Sequence, residues 1–363
     1  MSGTEPEITN LDTLVASLPM AEKELFERIY EIGVVKGQLK PPQSMKPWIE
    51  EHFGSLDKAL EQRIVRVTNL VTLEEALFNH LRASRPEGKS LACEESDSET
   101  EELQGEPFHD PLAATPEDTF GRVRGRHCIT ASNVAKYEGF HGVIIFKEPN
   151  SLRFTREQVI DYIDTGWAWA QKAHATDSAA RHFFFMWNCG RRAGASIQHG
   201  HAQVMLGRRR PYAKVERLRR AAFSYREHYR LSYFDDLYRV HHALGCGFEK
   251  SGVRVMAYLT PVKEKEVILI APELGRSLKE RLYEVLACFR DRMGVTTFNA
   301  ALFMPPIAPV EEDWRDFPTI ARLVDRGNPK SKTSDIGAME LYASSVIASD
   351  PFDVARVVRE AVG

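Results

Sequence analysis

The sequence is poor in cysteine, and no two cysteines are spaced to hold a metal. Five cysteines occur in 363 residues, and they never form a C-x-x-C motif. Scattered cysteines of this kind are typical of reduced thiols in a cytoplasmic protein, and they argue against a disulfide framework or a cysteine-built zinc site. We therefore predict a cytoplasmic location.

The sequence also lacks a large net charge and a long apolar run. The formal net charge is -3, so no global field attracts nucleic acid or an acidic membrane. No apolar run is long enough to span a bilayer, and the polar, acidic first residues are unlike a signal peptide. We expect no nucleic-acid partner and no membrane association.

Changes of composition along the chain predict five segments. Residues 1–84 are predicted to be an α-helical N-terminal extension, because apolar residues recur there with a helical period. Residues 85–117 are acidic, serine-rich and nearly free of large apolar groups, which predicts a flexible linker. Residues 118–215 and 216–310 each combine strands with helices, and residues 311–363 form a C-terminal loop and helix. The predicted fold class is α+β, with two halves that each place helices on one face of an antiparallel sheet.

The role of the N-terminal extension stays open between two interpretations. It either packs on the main body or serves as a partner-binding or dimerising arm.

The stretch from Trp187 to Leu206, WNCGRRAGASIQHGHAQVML, has the content of a phosphate-binding loop between two strands. Gly190 and Gly194 allow the backbone to approach an anion and to take dihedral angles that other residues avoid. Backbone N–H groups in such a turn can form a concave anion site. We therefore predict that this loop binds phosphate.

The end of the same stretch places three polar side chains on one face of a strand, because residues two apart point the same way. They are His199, His201 and Gln203. One imidazole can attack phosphorus while its other nitrogen is held by a hydrogen bond. Gln203 can donate to a phosphoryl oxygen but cannot take a proton. That property argues against direct hydrolysis and favours a covalent intermediate that persists until a second substrate binds. For an arbitrary H-x-H pair, a metal pair or plain surface residues are the alternatives.

Six residues of this stretch form the pattern N-x5-G-x-S-x2-H-x-H-x-Q: Asn188, Gly194, Ser196, His199, His201 and Gln203. The pattern resembles the active-site signature of galactose-1-phosphate uridylyltransferase, in the histidine triad (HIT-like) superfamily. The resemblance implies that His201 attacks the α-phosphorus of a nucleotide sugar and becomes a nucleotidyl-histidine. It also implies that Gln203 and Ser196 contact the phosphoryl oxygens and that Asn188 belongs to the same pocket.

The same resemblance has weaker implications elsewhere in the chain. It implies two HIT-like halves, of which only the first carries H-x-H. Asn133 falls where the family places an asparagine of its nucleotide pocket, although an Asx turn explains it equally well. Lys332 and Glu340 are the nearest matches to a C-terminal loop that reaches the sugar in the partner subunit's site, which would require a homodimer. Either residue could instead be a plain surface charge.

The function implied is that of a nucleotidyltransferase or phosphorylase of the EC 2.7.7 class, with ping-pong kinetics. The donor would be a nucleotide or nucleotide sugar, as in galactose metabolism, and the acceptor a phosphate or sugar phosphate. Some family members bind metal through a C-x-x-C pair and the first His of H-x-H. Because this chain has no C-x-x-C, we predict no metal at His199 and no cofactor. The alternatives are a HIT-type hydrolase, a dinucleoside polyphosphate phosphorylase, or a non-catalytic nucleotide-binding protein.

Overall fold

The computed structural model describes residues 5–82, 107–331 and 333–363. Within these ranges the chain forms thirteen strands and eleven α-helices. The strands are β1 (Tyr30–Gln38), β2 (Glu61–Asn69), β3 (Glu75–Phe78), β4 (Cys128–Ser132), β5 (Phe140–Asn150), β6 (Ala180–Cys189), β7 (His199–Arg208), β8 (Gly247–Lys250), β9 (Val253–Ala257), β10 (Val267–Ala271), β11 (Phe298–Phe303), β12 (Thr319–Asp325) and β13 (Ser345–Ile347).

The helices differ widely in length, and the longest of them is α6, which a complete capping box opens at Thr155. They are α1 (Leu11–Ser17), α2 (Met20–Ile29), α3 (Lys46–Phe53), α4 (Leu56–Leu60), α5 (Pro111–Ala114), α6 (Arg156–Thr176), α7 (Ala213–Tyr229), α8 (Tyr233–Ala243), α9 (Arg276–Asp291), α10 (Ala338–Tyr342) and α11 (Pro351–Val362). Among the described residues, no helix is both long and apolar enough to cross a membrane.

The N-terminal segment contains strands as well as helices, so the prediction of a purely helical extension is wrong. Strands β1, β2 and β3 pair antiparallel, and β13 joins β3 in parallel to complete a four-stranded sheet. Along β2 the fully buried Val65 and Val67 alternate with the exposed Arg66. β-Branched residues that alternate with polar residues favour a strand. In β2 this alternating pattern outweighs the helical period of the neighbouring apolar residues.

The second sheet has nine strands, in the order β4-β5-β7-β6-β11-β12-β10-β9-β8, and every pairing is antiparallel. The pairing of β6 with β11 joins the strands of the predicted first half to those of the second. The prediction of an α+β fold is confirmed. The division into two HIT-like halves and the boundaries of the segments stay predictions. The prediction that residues 311–363 form only a loop and a helix is wrong, because β12 pairs with β10 and β11 and β13 pairs with β3.

One face of the nine-stranded sheet is covered by helices and forms the main core. Helix α6 packs on β4 to β7, α9 packs on β9, β10 and β12, and the two helices contact each other. Phe185, Trp187 and Val204 point to this side and are almost completely buried. Residues of the opposite parity on the same strands, His199 and His201 among them, therefore lie on the other face.

Residues 107–117 differ from the flexible linker predicted for 85–117. Phe108 is buried, and α5 begins after Asp110, whose side chain accepts a hydrogen bond from the Ala113 N–H. Residues 85–106 of the predicted linker lie outside the described residues.

Candidate active site

The two histidines of H-x-H lie at the start of β7, beside an irregular stretch of β5. The β5–β7 register shifts between Ile145, opposite His201, and Asn150, opposite His199. Phe146 lies in this stretch, and its carbonyl oxygen accepts a hydrogen bond of 2.8 Å from His199 Nε2. The His199 ring is thereby fixed against the β5 backbone.

His201 is held by its own strand. Its Nδ1 lies 2.8 Å from the carbonyl oxygen of His199, and because a carbonyl can only accept, Nδ1 carries a proton. In the neutral ring the lone pair is then on Nε2, the nitrogen that could attack phosphorus.

An aromatic side chain covers both imidazoles. His199 and His201 are only 5% and 6% exposed. The Phe108 ring meets them edge-on, with centroid distances of 6.2 Å and 5.2 Å. Phe108 also packs with a small apolar cluster on β4 and β5, formed by Ile129, Ala131, Val143 and Ile145. The Phe108 ring is therefore one of the groups that shield His201 from solvent.

Gln203 is oriented by a histidine on the neighbouring strand, His141. The Tyr137 N–H donates to His141 Nδ1 at 3.1 Å, so in the neutral ring His141 Nε2 carries the proton. That proton is donated to Gln203 Oε1 at 2.8 Å, which directs the amide NH₂ of Gln203 away from His141. Burial lowers the pKa of His141 more than its contact with Gln203 raises it, so the neutral ring is favoured.

Asn133 lies beside this pair. Its Oδ1 accepts from the Ala135 N–H at 3.0 Å, as in an Asx turn, and its Nδ2 is 3.2 Å from His141 Nε2. Since His141 Nε2 already carries a proton for Gln203, we assign no hydrogen bond to the second contact. The contact with the Ala135 N–H fits the Asx-turn interpretation of Asn133, and its place in a nucleotide pocket stays a prediction.

Three N–H groups of the glycine-rich loop are used to close its own turn, and phosphate binding by the loop stays a prediction. Gly190 and Gly194 have φ angles of +85° and +97°, which only glycine adopts readily. The N–H groups of residues 193, 194 and 195 donate to the carbonyls of Gly190 and Arg191, so they close the turn and do not point at an anion. Ser196, which follows them, is exposed.

Asn188 is fixed by a partner that the sequence analysis did not identify, Asn299 on β11. The two residues are paired across β6 and β11, and Asn299 Nδ2 donates to Asn188 Oδ1 at 2.7 Å and to the Ala193 carbonyl at 2.8 Å. Arg326 donates to Asn299 Oδ1 at 2.6 Å and forms a two-pronged pair with Asp335. Strand β11 thus supports the glycine-rich loop that follows β6.

Comparison with solved structures identifies the fold. ADP-glucose phosphorylase from Arabidopsis thaliana with bound ADP-glucose matches with a TM-score of 0.60 and 18% identity, over 80% of this chain and 96% of that one. A GalT-like protein from the same plant matches with a TM-score of 0.57 and 16% identity, over 71% and 92%. A uridylyltransferase structure matches with a TM-score of 0.54 and 15% identity, over 68% of this chain and 88% of that one. The chain has the GalT-like fold. No family model and no curated protein matches it.

The GalT-like fold confirms the resemblance drawn from the Asn188–Gln203 pattern at the level of fold. Of the predicted site residues, the structure brings His199, His201 and Gln203 together on β7 and places Asn188 on the adjacent strand. The roles of these residues stay predictions. Lys332 lies outside the described residues, and Glu340 accepts from the Gly337 N–H at the start of α10.

The C-terminal segment contacts the glycine-rich loop. Arg192 Nε donates to the Arg326 carbonyl at 2.6 Å, and Arg192 Nη1 donates to the Ser331 carbonyl at 3.0 Å. Among the described residues, no group of three or more His, Cys, Asp or Glu side chains could hold a metal.

Gly200, between the two histidines, gives a first prediction. A Cβ at this position would lie 2.8 Å from the Glu148 carbonyl oxygen and 2.8 Å from Phe146 Cδ2. In the Gly200→Ala variant β5 and β7 must therefore separate, which we expect to destabilise the fold by about 1–3 kcal/mol and to displace both imidazoles. Chemical denaturation and a transfer assay would measure the two effects.

Gly139→Ala is the matched control, because a Cβ at Gly139 meets nothing within 4 Å. Equal stability and activity of the two variants would contradict the proposed close packing of β5 against β7.

Proposed function

We propose that this chain is a nucleotidyltransferase that moves a nucleoside monophosphate from a nucleotide-sugar donor to a phosphate-bearing acceptor through a covalent bond to His201. The observation that carries the proposal is the hydrogen bond from His201 Nδ1 to the His199 carbonyl, which puts the lone pair on Nε2. The place of His201 in the N-x5-G-x-S-x2-H-x-H-x-Q pattern supports the same assignment.

The first step forms a bond from His201 Nε2 to the α-phosphorus and breaks the bond from that phosphorus to the leaving oxygen. The leaving sugar phosphate takes the electron pair. The ring becomes positively charged, and its Nδ1–H still donates to the His199 carbonyl. In the second step an acceptor phosphate oxygen attacks the phosphorus, the P–N bond breaks, and the neutral imidazole returns. A covalent intermediate between two substrates gives ping-pong kinetics.

Gln203 is suited to steady the phosphoryl oxygens during both steps. Its Oε1 is occupied by His141, which leaves the NH₂ end as the donor. Fixed donors that meet developing negative charge are a large contribution to catalysis. Because an amide cannot remove a proton from water, the site favours transfer of the nucleotidyl group over its hydrolysis.

The covalent intermediate is tested by incubating the protein with a panel of donors and measuring its intact mass. The panel holds UDP-hexoses, ADP-hexoses and dinucleoside polyphosphates, each without an acceptor. We expect a mass increase of one nucleoside monophosphate with at least one donor, and its loss when a phosphate or sugar phosphate is added. Release of free monophosphate without an adduct indicates a hydrolase, and binding without either product indicates a nucleotide-binding protein.

Three finer points belong to the same proposal. They are the division of the nine-stranded sheet into two HIT-like halves, a homodimeric assembly, and a role in galactose or related nucleotide-sugar metabolism. The donor panel addresses the last of these, since it compares uridine and adenine donors directly.

A further inference from the structure

An apolar cavity of about 560 Å³ lies in the N-terminal segment, beside the small sheet and away from β7. It is enclosed by the chain that follows β1, by helix α3, by strand β2 and by the residues that follow β3. Six large apolar side chains line it: Leu39, Met45, Trp48, Ile49, Phe53 and Leu81. Its volume is within the range of roughly 300–1,000 Å³ that is typical of sites for small molecules.

The apolar lining of this cavity is partly open to solvent. Leu39, Met45 and Trp48 are 42%, 42% and 41% exposed, whereas Ile49 is buried. Single exposed apolar residues are ordinary on a protein surface, but contiguous apolar surface around a concavity is a common feature of ligand sites. The cavity therefore presents apolar surface that a ligand could remove from water.

The wall that carries Trp48 is held in place by its own contacts. The Trp48 ring stacks on His52 with a centroid distance of 4.5 Å and meets the Phe53 ring edge-on at 6.0 Å. Pro41 and Pro42, which precede α3, restrict the backbone on the same side of the cavity. A wall that is already ordered costs a ligand little conformational entropy on binding.

The amide groups of the wall bond mainly to the protein itself. Asn79 Nδ2 donates to Gln62 Oε1 at 2.8 Å, and Gln62 Nε2 donates to the Ala59 carbonyl at 3.1 Å. The Leu81 N–H donates to Asn79 Oδ1 at 3.0 Å. This part of the wall thus offers a ligand mainly apolar contact.

The charge that lines the cavity has one sign. Lys40 and Arg82 are the charged side chains among the described residues that line it, and both are exposed. Glu61 precedes Gln62 on β2, so its side chain points to the opposite face, where Lys36 binds it at 2.6 Å. The acidic residues of α3 and α4 are also absent from the lining: Glu50, Glu51 and Asp57. An anionic group of a ligand would therefore meet two cations and no carboxylate of the described lining.

We propose that this cavity binds a small amphipathic acid, with an apolar chain or ring beside Trp48 and a carboxylate beside Lys40 and Arg82. A sugar or a bare phosphate offers no comparable apolar surface to this lining, so neither is the class of ligand that fits. The inference goes beyond the proposed nucleotidyl transfer and does not depend on it, because no residue of β7 lines the cavity.

The site is tested by calorimetric titration of the whole chain with three probes of equal chain length, octanoate, octanol and octylamine. An uncharged apolar cavity would bind octanol best, because a carboxylate loses more hydration on burial. We expect octanoate to bind saturably and about fivefold more tightly than octanol, and octylamine to bind more weakly than both. High salt should reduce the preference for octanoate, because exposed charges are screened.

Two kinds of variant separate the apolar contacts from the charged ones. Trp48→Ala should weaken octanoate and octanol alike, by about tenfold, and Trp48→Phe should weaken them less. Lys40→Gln combined with Arg82→Gln should weaken octanoate alone, to the affinity of octanol. Lys36→Gln and Leu73→Ala are the matched controls, because both residues are exposed and lie outside the cavity lining, and they should change neither affinity.

The same variants show whether folding or catalysis is involved. Lys40 and Arg82 are exposed, so their double variant should unfold at the wild-type temperature and gives a result that does not depend on packing. Trp48→Ala should form the nucleotidyl adduct as the wild type does, and His201→Ala should bind octanoate as the wild type does, so failure of either proposal is distinguishable from failure of the other. Octanol binding as tight as that of octanoate at low salt, or unchanged octanoate affinity in Trp48→Ala and in the double variant, would overturn the inference.

Discussion

The His201→Ala protein is expected to form no nucleotidyl adduct with any donor and to lose transfer activity by a factor of roughly 10⁴ or more, the scale at which loss of a catalytic nucleophile is felt. The reason is that Nε2 of His201 is the atom that bonds to phosphorus in the proposed reaction. The alanine variant keeps the backbone of β7, including the His199 carbonyl, so the fold should persist. Intact mass after incubation with the best donor, and steady-state rates with donor and acceptor, measure the two losses.

His242→Ala is the control for this experiment. His242 lies on α8, where its Nδ1 is 3.3 Å from the Gly247 carbonyl and its ring stacks on Tyr238. Helix α8 packs on β8 and β9, at the edge of the nine-stranded sheet and five or more strands from β7, so the variant should retain both the adduct and the rate. An adduct that persists in His201→Ala would place the covalent bond elsewhere and would refute the mechanism.

The linear pattern of the chain was sufficient to locate the β7 side chains but not the groups that hold them. His199, His201 and Gln203 are close in sequence, and strand geometry alone puts them on one face. His141 is 62 residues from Gln203, and Asn299 is 111 residues from Asn188. The strand pairings that bring these residues together are not specified by a single sequence. A polar residue inside an apolar run, as in GFHGVIIF and FNAALF, was the signal that could have identified both.

The N-terminal segment shows a different limit of sequence reasoning. Apolar residues in the stretch around β2 satisfy both a helical and an alternating period, and the choice depends on pairing with β1 and β3. Such pairing is a tertiary effect that overrides local propensity. In the same way, Phe108 stands alone in an acidic stretch and becomes buried only because the histidines and the β4–β5 cluster lie beneath it.

The contact between the small sheet and the large one contains a buried ionic triad. Arg322 of β12 donates from Nη1 to Glu74 at 2.8 Å and from Nε to Glu266 at 2.6 Å. Glu74 also accepts from the Tyr258 hydroxyl at 2.8 Å, and Glu266 accepts from the Val262 N–H at 2.7 Å. Burial would raise the pKa of Glu74, but Arg322 and Tyr258 outweigh it and lower that pKa; for Glu266 burial prevails, and the pKa is raised.

Arg322→Met is expected to be the most destabilising single change outside the hydrophobic core. Removing the arginine leaves two carboxylates facing each other in a buried site, and breaking such a network costs about 3–5 kcal/mol. Without Arg322 both carboxyl groups should have folded-state pKa values above the unfolded value of about 4.3. A carboxyl group whose pKa is higher in the folded than in the unfolded state lowers the free energy of unfolding once the pH exceeds the unfolded pKa. The loss of stability in Arg322→Met should therefore be larger at pH 8 than at pH 5. Denaturant unfolding at the two pH values measures it.

Two further variants distinguish an electrostatic cause of this destabilisation from a loss of packing contacts. Arg356→Met, at an exposed pair with Asp353 and Glu360, should cost at most about 1 kcal/mol. Adding Glu74→Gln and Glu266→Gln to Arg322→Met removes the unpaired charges, so this triple variant should recover much of the lost stability and lose its pH dependence. Two results would contradict this interpretation: equal stability of the single variant at both pH values, or a triple variant no more stable than the single one. Either result would attribute the loss to the contacts of Arg322 with Tyr258 and Phe303. The triad would then have no electrostatic role in joining the two sheets.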